Sequence, residues 1–235
     1  MSSINLSKQT VNLSKKQVIN LSKASEGLKG VMVGLGWDEA EAGYREVTEI
    51  VNPGFLGKLF GAQPKEVTKR IYKSKEYDYD LDAWIAFMQD GKIVNAGTDV
   101  LYFGNKDIYR NGVNLAHHHG DNLTGAGDGD DEQIDINLDK LPEEYNGVVI
   151  GVTIYSARER HQEFGDIKNF FVRVVDTKDN FEICRYSDSV AHEYKDCYTF
   201  IVGKIYKDKG EWQFKSEGYG TRDDRIQSAV HNYKG

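Results

Sequence analysis

The sequence predicts a mainly all-β protein: an antiparallel β-sandwich with one inserted lobe and a short C-terminal helix. Three observations carry that prediction. Apolar and polar residues alternate in one short segment after another, the pattern of strands with one buried face. Turn residues separate these segments closely, leaving little room for the helical crossovers that parallel strands need. Aromatic residues are plentiful, with Tyr 14 and Phe 10 against Met 3, a balance that suits pleated, half-buried surfaces. At 235 residues and 39% hydrophobic, the chain is long enough to enclose a substantial core.

Residues 1–26 repeat one phrase: "INLSKQT", "VNLSKKQ" and "INLSKAS", beginning at Ile4, Val11 and Ile19. The alternation Ile4/Leu6, Val11/Leu13 and Ile19/Leu21 predicts short strands packed on the domain edge. The lysines after each copy keep such an edge from pairing with other chains. The units are far shorter than solenoid repeats. A single domain is expected over 27–220, with a tail over 221–235.

Within that domain, "GVMVGLGWD" (Gly30 to Asp38) reads as an apolar strand closed by glycines. "DYDLDAWIAFMQDGKIV" (Asp78 to Val94) reads as a hairpin turning at Gln89-Asp90-Gly91. "DVLYFGN" is a further short strand, and "EQIDINLDKL" alternates at Ile134, Ile136 and Leu138. Five strands follow, in "GVVIGVTIYSA", "NFFVRVVDT", "FEICRYS", "YTFIVGKIYKD" and "EWQFKSEGYG". The final "TRDDRIQSAVHNYKG" permits a short helix with Ile226, Val230 and Tyr233 on one face.

One segment departs from this rhythm. From Tyr44 to Lys75, "REVTEIV" and "KEVTKRIY" can pair across a tip, "NPGFLGKLFGAQP", that sets Phe55, Leu56, Leu59 and Phe60 at helical spacing. Between Val51 and Lys75, Lys58, Lys65, Lys69, Arg70, Lys73 and Lys75 face a single acid, Glu66. Basic residues around apolar ones suit peripheral contact with an anionic membrane, and packing within the protein or against another protomer is the alternative.

The net charge of -7 argues against a nucleic-acid binder, because phosphate neutralisation wants a basic surface. Cys184 and Cys197 fit no C-x-x-C motif and read as buried thiols in a reducing compartment. The N-terminus lacks the apolar run of a signal peptide, and no segment approaches the roughly 20 apolar residues of a membrane span. A cytoplasmic protein is expected, with the basic lobe as its one route to a membrane surface.

The most unusual stretch is "HHHGDNLTGAGDGDDEQIDI", His117 to Ile136, which crowds Asp121, Asp128, Asp130, Asp131, Glu132 and Asp135 among glycines. Glycines let a backbone turn and expose carbonyls, while carboxylates supply hard oxygen ligands. Together they suit Ca²⁺, which takes six to eight oxygens in a flexible shell. Mg²⁺ prefers to keep its waters, and Zn²⁺ prefers nitrogen and sulfur. Neither register of an EF-hand loop fits, since Gln133 or Lys140 falls where the glycine belongs. A solvated acidic loop is the alternative. A second cluster, Asp78, Asp80 and Asp82, puts three carboxylates on one face of a strand.

The order "LGWD", "DLDA", "H-x-GDN-x-TG-x-G-x-GDDEQI", "IYSARERHQEFGDIKNFFVRVVD" and "GKIYKDKGEWQFKSEGYG" resembles the TerD-type tellurium-resistance and stress-protein family over about Gly27 to Gly220. The resemblance implies a calcium-binding β-sandwich, with calcium as cofactor and more than one ion expected. The ligands it implies are Asp80, Asp82, Asp121, Asn122, Asp130, Asp131 and Glu132. Asp128 falls at a variable, often acidic family position and joins the set. The family passes from "GWD" to "DLD" by a shorter connection, so Tyr44 to Lys75 reads as an insertion, and "NLSK" occurs more often than usual.

Catalytic motifs are not evident. "HHHGDN" lacks the partner motifs of binuclear phosphatases, no G-x-S-x-G elbow occurs, and "GAGDGD" carries negative charge where a nucleotide phosphate would sit. Trp37, Trp84 and Trp212 read as core or rim aromatics. The expected function is therefore a non-enzymatic, calcium-binding stress-response module acting with an unidentified protein partner. The alternative is a Ca²⁺-dependent hydrolase of a phosphorylated or polyanionic substrate.

Overall fold

The computed structural model describes residues 8–38, 43–73, 79–120, 129–188 and 194–235. The chain divides into two compact units, residues 1–40 with 79–235, and residues 41–78.

The larger unit is built from two sheets whose inner faces share one core. The first sheet runs, edge to edge, through Val11–Leu13, Phe181–Asp188, Lys168–Asp176, Val31–Asp38, Glu132–Ile136, Val113–His118 and Asp107–Arg110. The second runs through Val18–Asn20, Glu211–Thr221, Thr199–Asp208, Gly147–Ile154, Leu81–Gln89 and Lys92–Ile93, with Val100–Leu101 also paired to Leu81–Gln89. Alternation decides what each strand buries. Val33, Leu35, Ile134, Ile136, Val172 and Val174 pack from the first sheet against Ile85, Phe87, Val148, Ile150, Val152 and Ile205 of the second. The β-sandwich is the predicted fold class, and among the described residues neighbouring strands pair antiparallel with one exception.

That exception is Val11–Leu13, which pairs parallel to Phe181–Asp188. A parallel pair needs a long connection, and here the connection is most of the chain. The second copy of the repeat thus edges one sheet. The third copy edges the other, where Val18–Asn20 pairs antiparallel to Glu211–Thr221. The third copy is not a strand throughout, as its alternation suggested. Asn20 accepts from Lys23 N at 2.9 Å and caps a short helix, Leu21–Ala24, that buries Leu21. The first copy lies outside the described residues.

The hairpin expected at Gln89-Asp90-Gly91 is present. Leu81–Gln89 pairs with Lys92–Ile93 across Asp90 and Gly91, whose φ values of 51° and 79° match a two-residue turn of the type-I′ kind. The C-terminal helix spans Ile226–Asn232 and lies over the outer face of the second sheet. Its Ile226, Ala229 and Val230 cover Trp84, Ala86, Met88, Val149 and Ile201, with Tyr233 packed beside them.

The smaller unit is an antiparallel hairpin. Gly43–Val51 pairs with Lys65–Lys73, from Gly43 opposite Lys73 to Val51 opposite Lys65. A helix, Phe55–Leu59, forms its tip. Both strands and the helical spacing were expected from the sequence.

Candidate metal centre

The centre is approached by two strands, one from each sheet. In Leu81–Gln89, Leu81, Ala83, Ile85 and Phe87 face the inter-sheet core, so Asp82 falls with Trp84, Ala86 and Met88 on the other side. Asp80 and Asp82 are buried, at 7% and 4% exposure. Asp82 stands opposite Thr153. The threonine hydroxyl accepts from Trp84 Nε1 at 3.0 Å and shares a 2.8 Å hydrogen bond with Thr199, which fixes the neighbourhood. Asp80 is held by its backbone carbonyl, which accepts from Tyr155 N at 2.9 Å, and its Oδ2 lies 3.6 Å from Arg160 Nη1. Arg160 itself stacks over Tyr155, 5.0 Å from the ring centroid.

The second strand, Glu132–Ile136, contributes Glu132. Its burial alternates, so Glu132 points inward with Ile134 and Ile136 and is only 2% exposed. Glu132 Oε2 accepts from Ala83 N at 2.5 Å. This hydrogen bond joins the two sheets and places the Glu132 carboxylate at the residue that follows Asp82. His118, 1% exposed and opposite Ile134, sits with its Nε2 3.8 Å from the same oxygen. Its Nδ1 accepts from Gly120 N at 3.2 Å.

Asp131 is tied to the first sheet. Its backbone N donates to Leu35 O at 2.7 Å, and its Oδ2 accepts from Trp37 N at 3.0 Å. Asp130 faces elsewhere. Arg173 donates to it twice, Nε to Oδ1 at 2.7 Å and Nη2 to Oδ2 at 2.8 Å, and Gln133 Nε2 adds a contact at 3.1 Å. Arg173 and Gln133 flank Gly34 in register, and their strand neighbours Val172, Val174 and Ile134 are in the core. Asp130 therefore lies on the outer side of the first sheet. Asp121, Asn122 and Asp128 lie outside the described residues, as does Asp78.

The structure thus sets Glu132 against the backbone amide that follows Asp82, turns the Asp82 side chain to the other face of that strand, and pairs Asp130 with Arg173 on the outer side of the first sheet. Among the described residues, no group of three or more His, Cys, Asp or Glu side chains is arranged to hold a metal ion. The donor chemistry that is present is hard carboxylate oxygen, which suits Ca²⁺ better than a nitrogen- or sulfur-seeking ion.

In the sequence the histidine run hides its strand: Val113–His118 pairs in the first sheet, and alternation splits the three rings of His117 to His119. His117 Nδ1 meets Asp107 Oδ1 at 2.8 Å, His119 Nε2 meets Asp135 Oδ2 at 2.8 Å, and His118 alone turns inward. Arg160 and Arg173 were not singled out either. Strand alternation around Arg173, between the core residues Val172 and Val174, was the available signal.

Arginine partners shape the charges on the outer face. Hydrogen bonding to Asp130 raises the Arg173 pKa. Arg185, at 2.9 Å from each oxygen of Glu182, holds that carboxyl below its ordinary value, with Arg173 adding to the effect. Both cysteines are free thiols, and burial pushes Cys184 up to about 12 and also raises Cys197. Neither is disposed to form a thiolate at neutral pH.

A TerD domain model matches residues 9–233. Stress response protein SCP2 of Bacillus subtilis is 36% identical over 223 residues, covering 95% of this chain and 98% of the relative. Tellurium resistance protein TerX of Serratia marcescens is 32% identical over 237 residues, covering 95% and 99%. In three dimensions, a TerD homologue from Streptomyces coelicolor A3(2) matches with a TM-score of 0.57 at 20% identity, covering 87% of this chain and 96% of that one. At that identity the match shows the fold.

Proposed function

Because the chain belongs to the TerD-domain family, we propose that it is a calcium-binding, non-enzymatic module of the stress response. Relatives named for tellurium resistance and stress response supply the setting. The observation that supports the metal is the burial of three carboxylates, Asp80, Asp82 and Glu132, at 7%, 4% and 2% exposure. Burying neighbouring carboxylates is costly unless cations or hydrogen bonds hold their charge. Arg160 lies beside Asp80 and the Ala83 amide bonds Glu132, and a divalent cation would add its charge to theirs.

Asp80, Asp82, Asp131 and Glu132 would hold calcium from the sandwich, with Asp121, Asn122 and Asp128 supplying the connecting loop. Asp130 would act as a buttress through Arg173. Bound calcium would neutralise these carboxylates and fix the loops around them, and those loops would form the surface offered to a protein partner. The two free thiols accord with a cytoplasmic location.

Calorimetric titration with Ca²⁺ in excess Mg²⁺ tests the metal: heat of binding and a raised melting temperature are expected. No heat with an unchanged melting curve would overturn it. The non-enzymatic part is tested separately, since turnover of a phosphoester or polyanionic substrate by the calcium-loaded protein would replace it with a hydrolase.

A further inference from the structure

The hairpin unit carries a surface that the metal centre does not use. Phe55, Leu59 and Phe60 are 80%, 69% and 84% exposed, and Ile50, just before the tip, is 66% exposed. Large apolar side chains scattered singly on a surface are ordinary, but a contiguous group marks a contact site. These four are concentrated at one end of one hairpin. Ile50 and Val51 are consecutive strand residues on opposite faces of the hairpin, and both are exposed. Val67 on the facing strand is exposed as well. Phe55 and Leu59 are four apart in the tip helix and share one side of it, with Phe60 following directly.

Charge surrounds this apolar tip. Residues 51–69 carry Lys58, Lys65 and Lys69 against Glu66 alone, in a chain whose net charge is -7. Lys58 lies within the tip helix, and Lys65 stands opposite Val51 at the first rung of the ladder.

We propose that residues 50–69 form a finger that contacts anionic lipid bilayers, inserting Phe55, Leu59 and Phe60 between headgroups while Lys58 and Lys65 meet the lipid phosphates. A bilayer fits these features better than a protein groove. A stable protein interface buries roughly 800 Å² on each partner and recruits Tyr, Trp and Arg as anchors. This tip is one short helical turn whose aromatics are both phenylalanine, without a polar handle to specify a partner. A bilayer demands no shape complementarity, and an apolar group rimmed by lysines satisfies both its layers. Among the described residues, no helix is long and apolar enough to cross a membrane, so the contact is peripheral. The inference is independent of the metal reading.

Vesicle flotation with the full chain tests it. Wild-type protein should float with vesicles rich in phosphatidylglycerol and not with pure phosphatidylcholine, and raising salt from 50 to 500 mM, spanning Debye lengths of roughly 14 to 4 Å, should reduce binding several-fold. Binding should persist in EGTA. F55S/F60S should lose flotation, and K58E/K65E should lose it on anionic vesicles, each with a melting curve like wild type. F60W offers a readout in a folded chain, a blue shift of its emission with anionic vesicles. Failure of the wild type to float, flotation unchanged in F55S/F60S, or flotation that needs calcium and survives both double substitutions would each overturn the proposal. An F60W emission that anionic vesicles leave unmoved would do the same.

Discussion

Arg173, in the strand Lys168–Asp176, holds both carboxylate oxygens of Asp130, two residues before the strand Glu132–Ile136, at 2.7 and 2.8 Å. The Asp130 side chain is fully buried in this pairing, while Arg173 keeps about a quarter of its surface in solvent, at 26%. Such a two-pronged contact is geometrically selective as well as strong.

Removing one partner should therefore cost more than the pair contributes. Arg173→Met leaves a buried carboxylate facing an apolar chain, and we expect a loss of about 3 kcal/mol in unfolding free energy. Asp130→Asn should cost less, and its calcium affinity should fall less than that of Asp82→Asn. Chemical denaturation and calorimetry measure both. Equal losses of calcium affinity in the two aspartate variants would place Asp130 among the ligands.

Glu132 ties the sheets together through Ala83 N, and it is also one of the proposed calcium ligands. The two roles separate on substitution. Glu132→Gln keeps an acceptor oxygen and removes the charge, so calcium affinity should fall at least about tenfold, or 1.4 kcal/mol, while calcium-free stability holds or rises. Glu132→Ala should also strand the buried amide, destabilising the calcium-free protein by about 2 kcal/mol. A melting series in EGTA and in calcium reads both effects. Identical behaviour of the two variants would remove the distinction.

Acid should loosen the outer face in a defined window. The folded-state pKa of Glu182 lies below its ordinary value of 4.5, chiefly through hydrogen bonding from Arg185. A depressed carboxyl contributes stability above its unfolded pKa and loses it as pH falls through the folded one. The melting temperature of wild type should exceed that of Glu182→Gln at pH 7. The gap should narrow below about pH 4.5 and close once the carboxyl is protonated in both states. A gap independent of pH would show that charge is not its source.

Gly151 makes room for the fully buried Trp84 ring, against which any added Cβ would press. Trp84 is pinned by its hydrogen bond to Thr153 and covered by the C-terminal helix, so it has little freedom to move aside. Gly151→Ala should destabilise by about 1–3 kcal/mol, with the change seen in Trp fluorescence as well as in the melting curve. Wild-type stability would mean the ring relocates freely.

Most strands could be read from the chain because their alternation is local. Glu132–Ile136 and Glu211–Thr221 each show it within a few residues, while Leu81–Gln89 is an apolar run buried on both faces. The hairpin turn at Asp90-Gly91 was legible for the same reason. Asp107–Arg110 and Val113–His118 were not, because their outward positions are polar and the histidine run masks the period. The third repeat copy misled because Asn20 satisfies a strand pattern and a helix cap equally well. At the candidate centre the acidic residue types could be recognised, but their grouping could not. Asp130 is 43 residues from Arg173, and Glu132 is 49 from Ala83. Only the pairing of strands reveals that one acid turns to an arginine and its near neighbour to the other sheet.

The two repeat copies that edge the sheets have a consequence in time. Thr10 bonds to Glu182 across 172 residues, and Gln17 to Ser216 across 199. A ribosome makes these edge strands long before their partners. Both sheets therefore stay open along one side until those partners emerge. Closing such distant contacts is slow, because loop closure precedes any gain from pairing. Through that interval the lysines of the repeat protect a nascent chain from its neighbours, before they border any finished sheet. A ribosome-stalled chain ending before Phe181 would carry its first strands with nothing to pair them.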